Sequence, residues 1–246
     1  MIQRWFTKWS SSAGVECTPR DLVTQLCVDC GLPVDTRDNP SATTQKSITL
    51  LWAAANTPRM LPSSKKSKKS KDTSEFTEAL VVSLLEKGAD ANATEKSNGC
   101  TAMHQAAFKG KEEILRVLVE RGGADPAVAA LSSSWEMTPL HKAAWNGHCG
   151  AMSIIVRAAG AAGAEALLMA RTSCLEEEDA TALHVVASQG DAEGVRTLLE
   201  LAEEAGVAKK LLGARDAAGQ TARDVALAEE GSEEAAKALA AFQPKG

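Results

Sequence analysis

Three histidines, His104, His141 and His184, each close a Thr-x-x-His string. Imidazole nitrogens can ligate a metal or carry a proton as a general base. Cys27-Val28-Asp29-Cys30 is a CxxC string, which as a pair can hold half a zinc site or act as a redox couple. Glu176, Glu177, Glu178 and Asp179 form an acidic run that could meet a basic partner, or simply be a solvated loop. Lys65, Lys66, Lys68, Lys69 and Lys71 lie in SKKSKKSK (64–71), a pattern suited to nuclear import or to anionic lipid or nucleic acid. The plain alternative is a solvated loop tip. The sequence has no Gly-rich phosphate loop, no G-x-S-x-G elbow and no paired-carboxylate constellation. No second CxxC accompanies the first, which lies in an amphipathic stretch ending at Gly31, so helix packing accounts for it.

The elements around the histidines repeat. TAMHQAAFKG begins at Thr101, TPLHKAAWNG at Thr138 and TALHVVASQG at Thr181; TARDVALAEEG follows at Thr221, and TLLWAAAN precedes them at Thr49. In the three best copies the Thr lies nine residues before a glycine, Gly110, Gly147 or Gly190, and a second apolar helical stretch follows each. Thr can cap a helix through its hydroxyl, and Pro139 suits a first helical turn. The pairs Ala106/Ala107 and Ala143/Ala144 allow helices to approach closely, and the glycine ends the first helix in a left-handed conformation. The second helix then returns antiparallel, with Ile114, Leu115, Leu118 and Val119 at helical spacing. One such hairpin cannot bury its apolar face alone, whereas a stack can.

These strings resemble the T-P-L-H-x-A-A…G signature of ankyrin repeats, and GADANA (88–93) and GGADP (122–126) resemble that family's finger turns. The resemblance covers residues 47–241. It implies an all-α solenoid of stacked helix-turn-helix units with short finger turns, six units in all. Residues 1–46 are expected to form an N-terminal capping unit, 216–241 a C-terminal capping repeat and 242–246 a tail. In that last unit Arg223 is expected in place of the motif histidine. Stacking would separate the other histidines by roughly 10 Å, far beyond coordination at about 2 Å. They are therefore expected to be structural, each bonded to a neighbouring turn, and no metal or other cofactor is expected. His148 reads as a surface residue.

Two irregularities stand out. Thr49 to Gly88 spans 18 residues more than Thr101 to Gly122, which matches TPRMLPSSKKSKKSKDTS (57–74), expected as a disordered loop between the helices of one unit. ALLMAR (166–171) and KLLGAR (210–215) stand where a short finger would be expected and predict an added helical turn. At the N-terminus Ile2, Trp5, Phe6 and Trp9 fall at helical spacing. They suit a capping helix or, since no acidic residue precedes Glu16, a membrane-surface or organelle-targeting segment.

Composition sets the class. Apolar residues make up 44% and charged residues 24%, while aromatics are only 4% with no Tyr, a balance that suits a solenoid of Ala and Leu helices. Net charge is −5, but residues 1–75 carry 11 basic and 7 acidic side chains, so the remaining body is acidic and would repel phosphates. No apolar run approaches the roughly 20 residues of a membrane span, and no secretory h-region opens the chain. With six cysteines in no scaffold rhythm, reduced thiols and a cytoplasmic place are expected, the nucleus being the alternative through the lysine run.

The resemblance implies a monomeric, non-catalytic module, an adaptor, scaffold or assembly factor binding another protein on its concave face. The alternative is a chromatin- or membrane-associated regulator acting through the lysine loop. After each Ala pair a variable position is occupied by Asn56, Phe108, Trp145, Ser188 and Leu227. Phe108 and Trp145 are expected side by side on the groove, with Trp135 at its rim and Lys109, Lys142, Asn146 and Ser188 as polar contacts; the alternative is that the two aromatics pack against neighbouring inner helices or the finger bases. Exposed aromatics are enriched at binding hot spots.

Overall fold

The computed structural model describes residues 55, 70–95, 99–127, 136–174 and 177–244. The described residues form eleven helices and one two-stranded antiparallel sheet. They fall into two compact units: residues 1–105 with 116–124, and residues 106–115 with 125–246.

In the first unit, α1 (Ser70–Glu86) buries Leu80, Val81 and Leu84. Its start lies inside the expected 57–74 loop, so residues 70–74 are helix rather than loop. Once downstream apolar residues hold a helix in place, extending it costs little, and the Asp, Thr and Ser of this stretch suit a helix start. After α1 the chain turns at Gly88, with φ of 88°, and Asp90 Oδ1 accepts from the Asn92 N–H at 2.9 Å. Asn92 then donates from Nδ2 to the Gly123 carbonyl at 3.2 Å, tying one finger to the next. Helices α2 (Ala102–Phe108) and α3 (Glu112–Gly122) span the boundary between the units.

The second unit continues with three hairpins: α4 (Pro139–Trp145) with α5 (Cys149–Ala158), α7 (Ala182–Ser188) with α8 (Ala192–Glu204), and α10 (Ala222–Ala228) with α11 (Glu233–Ala241). First helices pack on first helices, α4 on α7 and α7 on α10; second helices do likewise, α5 on α8 and α8 on α11. Ala143, Ala144 and Ala187 are fully buried, which is the close approach that small side chains permit. Leu140, Met152, Ile155, Leu183, Leu198 and Leu199 fill the interior between them. Each such side chain contributes about 1.5–3 kcal/mol on burial.

The hairpin glycines serve two requirements. Gly110, Gly147 and Gly190 have φ of 64°, 66° and 69°. Each also faces the following hairpin closely: a Cβ would lie 2.8 Å from the His148 ring, 3.1 Å from Asp191 Oδ2 and 3.0 Å from Ser232 Oγ, respectively. His148, expected at the surface, is therefore partly covered by the Gly110 turn.

Added helix follows two second helices: α6 (Gly160–Leu168) after α5 and α9 (Ala208–Leu212) after α8. In α6 the addition is a separate helix begun at Gly160, with φ of 66°. The acidic run, expected in a loop, lies partly in a hairpin of β1 (Thr172–Cys174) and β2 (Glu177–Ala180). Pairing runs Thr172 to Ala180 and Ser173 to Glu178, with a bulge between Thr172 and Ser173. Arg171 holds this arm: Nη1 donates to the carbonyls of both Asp179 and Arg215 at 2.5 Å.

Candidate functional site

The motif histidines are buried and engaged. Nδ1 of His104, His141 and His184 accepts the N–H of Thr101, Thr138 and Thr181 at 3.1, 3.3 and 3.3 Å. The same nitrogen lies 2.9, 2.8 and 2.8 Å from the threonine hydroxyl. This leaves Nδ1 unprotonated and the ring hydrogen on Nε2. His184 uses it to donate to the Gln220 carbonyl, in the next finger, at 3.2 Å. His141 Nε2 faces the Ala180 and Ala170 carbonyls without closing a hydrogen bond to either. Burial dominates there and pushes the His141 imidazole down to about 4; burial also lowers His184. His141 and His184 are neutral fasteners at ordinary pH.

The fourth repeat departs from expectation. Counted from its capping Thr221, the histidine position is Asp224, not Arg223. Asp224 Oδ2 accepts from the Thr221 N–H at 2.9 Å and from its hydroxyl at 2.7 Å, and these bonds lower its carboxyl. Here the motif position is exposed, so a charged cap replaces a buried neutral one. By the same count the variable position is Ala228. Leu227 corresponds to buried Ala107, Ala144 and Ala187, yet it is 65% exposed, since no described helix packs on that side of α10.

The expected aromatic pair closes two successive first helices. Phe108 is the last residue of α2 and is 37% exposed. Trp145 is the last residue of α4 and is half-buried. Asn146, next in the chain, donates from Nδ2 to the Phe108 carbonyl at 3.0 Å and so joins the two helix ends. Lys109 places its ammonium 5.1 Å from the centroid of the Phe108 ring, a cation–π distance. Lys142 is half-buried one turn before Trp145. Nearby, burial and then the Lys109 charge hold Lys111 below the usual lysine range. Ser188 occupies the corresponding end of α7 and donates back to the Val185 carbonyl at 3.0 Å. Trp135, Lys65, Lys66, Lys68 and Lys69 lie outside the described residues, as do the CxxC string and the N-terminal stripe; Lys71 falls in the first turn of α1.

Residues 73–165 match the family model for ankyrin repeats, described as three copies. The chain carries ankyrin repeats over this span. Its hairpins at 182–204 and 222–241 lie beyond the matched span, and the ankyrin geometry of capping Thr and stacked first and second helices continues through them. No curated protein matches the chain significantly. Ankyrin repeats are generally protein–protein interaction modules and are typically non-catalytic. None of the described helices is long and apolar enough to cross a membrane.

Proposed function

We propose that this ankyrin-repeat chain is a non-catalytic adaptor, scaffold or assembly factor that grips one partner protein through the ends of its first helices. Phe108 and Trp145 anchor the contact, with Lys109, Lys142, Asn146 and Ser188 around them. One observation carries the reading: Phe108 is 37% exposed, whereas Met103, Ile114, Leu115 and Leu118 of the same hairpin are buried. Water penalises such a ring, and hot spots favour it. Burial of the Cys149 thiol raises it away from the reactive thiolate range, which argues against a nucleophilic role for it.

The test is an affinity capture with mass spectrometry, comparing wild type with a Phe108→Ala, Trp145→Ala variant whose helicity and melting temperature are checked first. A specific partner depleted about tenfold or more on the folded variant supports the reading. Equal recovery of every captured protein would refute it.

A further inference from the structure

We infer that the surface of Phe108, Lys109, Lys142, Trp145 and Asn146 takes an acidic peptide segment in which a carboxylate flanks an apolar side chain. This rests on the protein-binding role proposed above and adds the partner's chemistry.

The argument comes from where charge sits in the second unit. Helices α4 and α7 carry no acidic residue, and the one acid of α10, Asp224, is engaged by the Thr221 cap. Two of the second helices are acidic, α8 with four Glu against one Arg and α11 with two Glu against one Lys, whereas α5 has one Arg and no acid. Three cations on that side are matched within the chain, Arg157 to Glu204 at 3.2 Å, Lys210 to Glu165 at 2.6 Å and Lys237 to Glu234 at 2.8 Å. At the start of α3 the Glu112 carboxylate lies against Gly150 of α5, also on the second-helix side.

Lys109 and Lys142 are treated differently. Among the described residues neither enters an ion pair; Lys109 instead rests over the Phe108 ring. Asn146 fixes the turn that presents them. The chain as a whole is net negative, so this cationic strip is a local exception rather than a general attraction to acids. An incoming carboxylate meets the Lys109 and Lys142 ammonium groups, and the apolar residue beside it meets the exposed part of Phe108 and the half-buried Trp145. A long-range component of this attraction is screened by salt within about 8 Å at physiological ionic strength.

The experiment is selection of a displayed library of random dodecapeptides on the full chain. Affinity of the selected peptides is then measured by fluorescence anisotropy at low and high salt. Expected are peptides rich in Asp or Glu beside aromatic or Leu residues. Their binding should weaken about tenfold or more on Lys109→Glu with Lys142→Glu, and also on Phe108→Ala. Selection repeated on the charge-reversed chain should return Lys- or Arg-containing peptides. Peptides that need Phe108 but show no acidic bias and ignore the charge reversal would overturn the acidic chemistry while leaving the binding role standing. Peptides indifferent to both sets of substitutions, or no selected peptide at all, would count against both.

Discussion

Asn146 Nδ2 donates to the main-chain carbonyl of Phe108 across 3.0 Å, joining the end of one first helix to the turn that closes the next. The bond fixes a variable position of one repeat against that of its neighbour, so the two aromatics are presented together rather than independently. Removing the donor should loosen that presentation without opening the core, because Asn146 itself is exposed. Asn146→Ala is expected to cost about 0.5–1.5 kcal/mol in urea denaturation, the usual net worth of one hydrogen bond. A loss several times larger would place Asn146 in the core packing instead.

The hairpin glycines separate backbone strain from steric contact. Gly190 has positive φ, and its added Cβ would meet Ser232 Oγ and, at 3.3 Å, the backbone of Gly231 and Ser232. Gly219 also has positive φ, 77°, but nothing lies within 4 Å of its Cβ position. Gly219→Ala should therefore cost about 1 kcal/mol from conformation alone. Gly190→Ala should cost clearly more, since backbone cannot swing aside. Equal melting temperatures for the two variants would contradict this account of the repeat spacing.

Acid should weaken the fold through His141. Its folded pKa of about 4 lies below the ordinary 6.5, so between those values the unfolded chain binds the extra proton. The stability from keeping the ring neutral is complete above about 6.5 and is lost as pH falls toward 4, a window worth about 3 kcal/mol at most. His184 shifts in the same direction. Urea midpoints measured from pH 7 to 4.5 should fall in wild type and fall less steeply in His141→Gln. Parallel profiles would mean that His141 does not govern the acid response.

Much of this architecture is legible from residue types. Thr138 caps its helix, Pro139 opens the first turn, His141 fastens the cap and Gly147 makes the left-handed stop, each as its side-chain chemistry leads one to expect. The parts that escape are those decided by tertiary contact. Glu177 to Asp179 have weak strand preference, and their strand exists where Arg171 bonds the Asp179 carbonyl. The start of α1 at Ser70 is hidden by a Lys- and Ser-rich composition that reads as loop. Arg223 and Leu227 each stand one residue short of the motif positions, which the spacing of the other copies from their threonines places at Asp224 and Ala228. Of the candidate site, Phe108 and Trp145 follow from repeat register, whereas the Asn146 bond requires the neighbouring turn to be seen.

Arg171 supplies a further check. With one Nη1 shared between the Asp179 and Arg215 carbonyls, it pins the β1–β2 arm to the following finger. Arg171→Ala should speed hydrogen exchange across residues 172–180 while leaving α7 and α8 protected, because the arm opens locally. Unchanged exchange in the arm would show that strand pairing alone holds it.

The central claim, that the first-helix ends bind a partner protein, rests most directly on Phe108. Phe108 is 37% exposed, so its truncation costs the fold less than that of a fully buried side chain. The measurement is the affinity of Phe108→Ala for a partner captured by wild type, taken beside its melting temperature. The account predicts at least tenfold weaker binding, about 1.4 kcal/mol, with the melting temperature nearly unchanged. Unchanged affinity in a variant that melts several degrees lower would make Phe108 a packing residue and contradict the account.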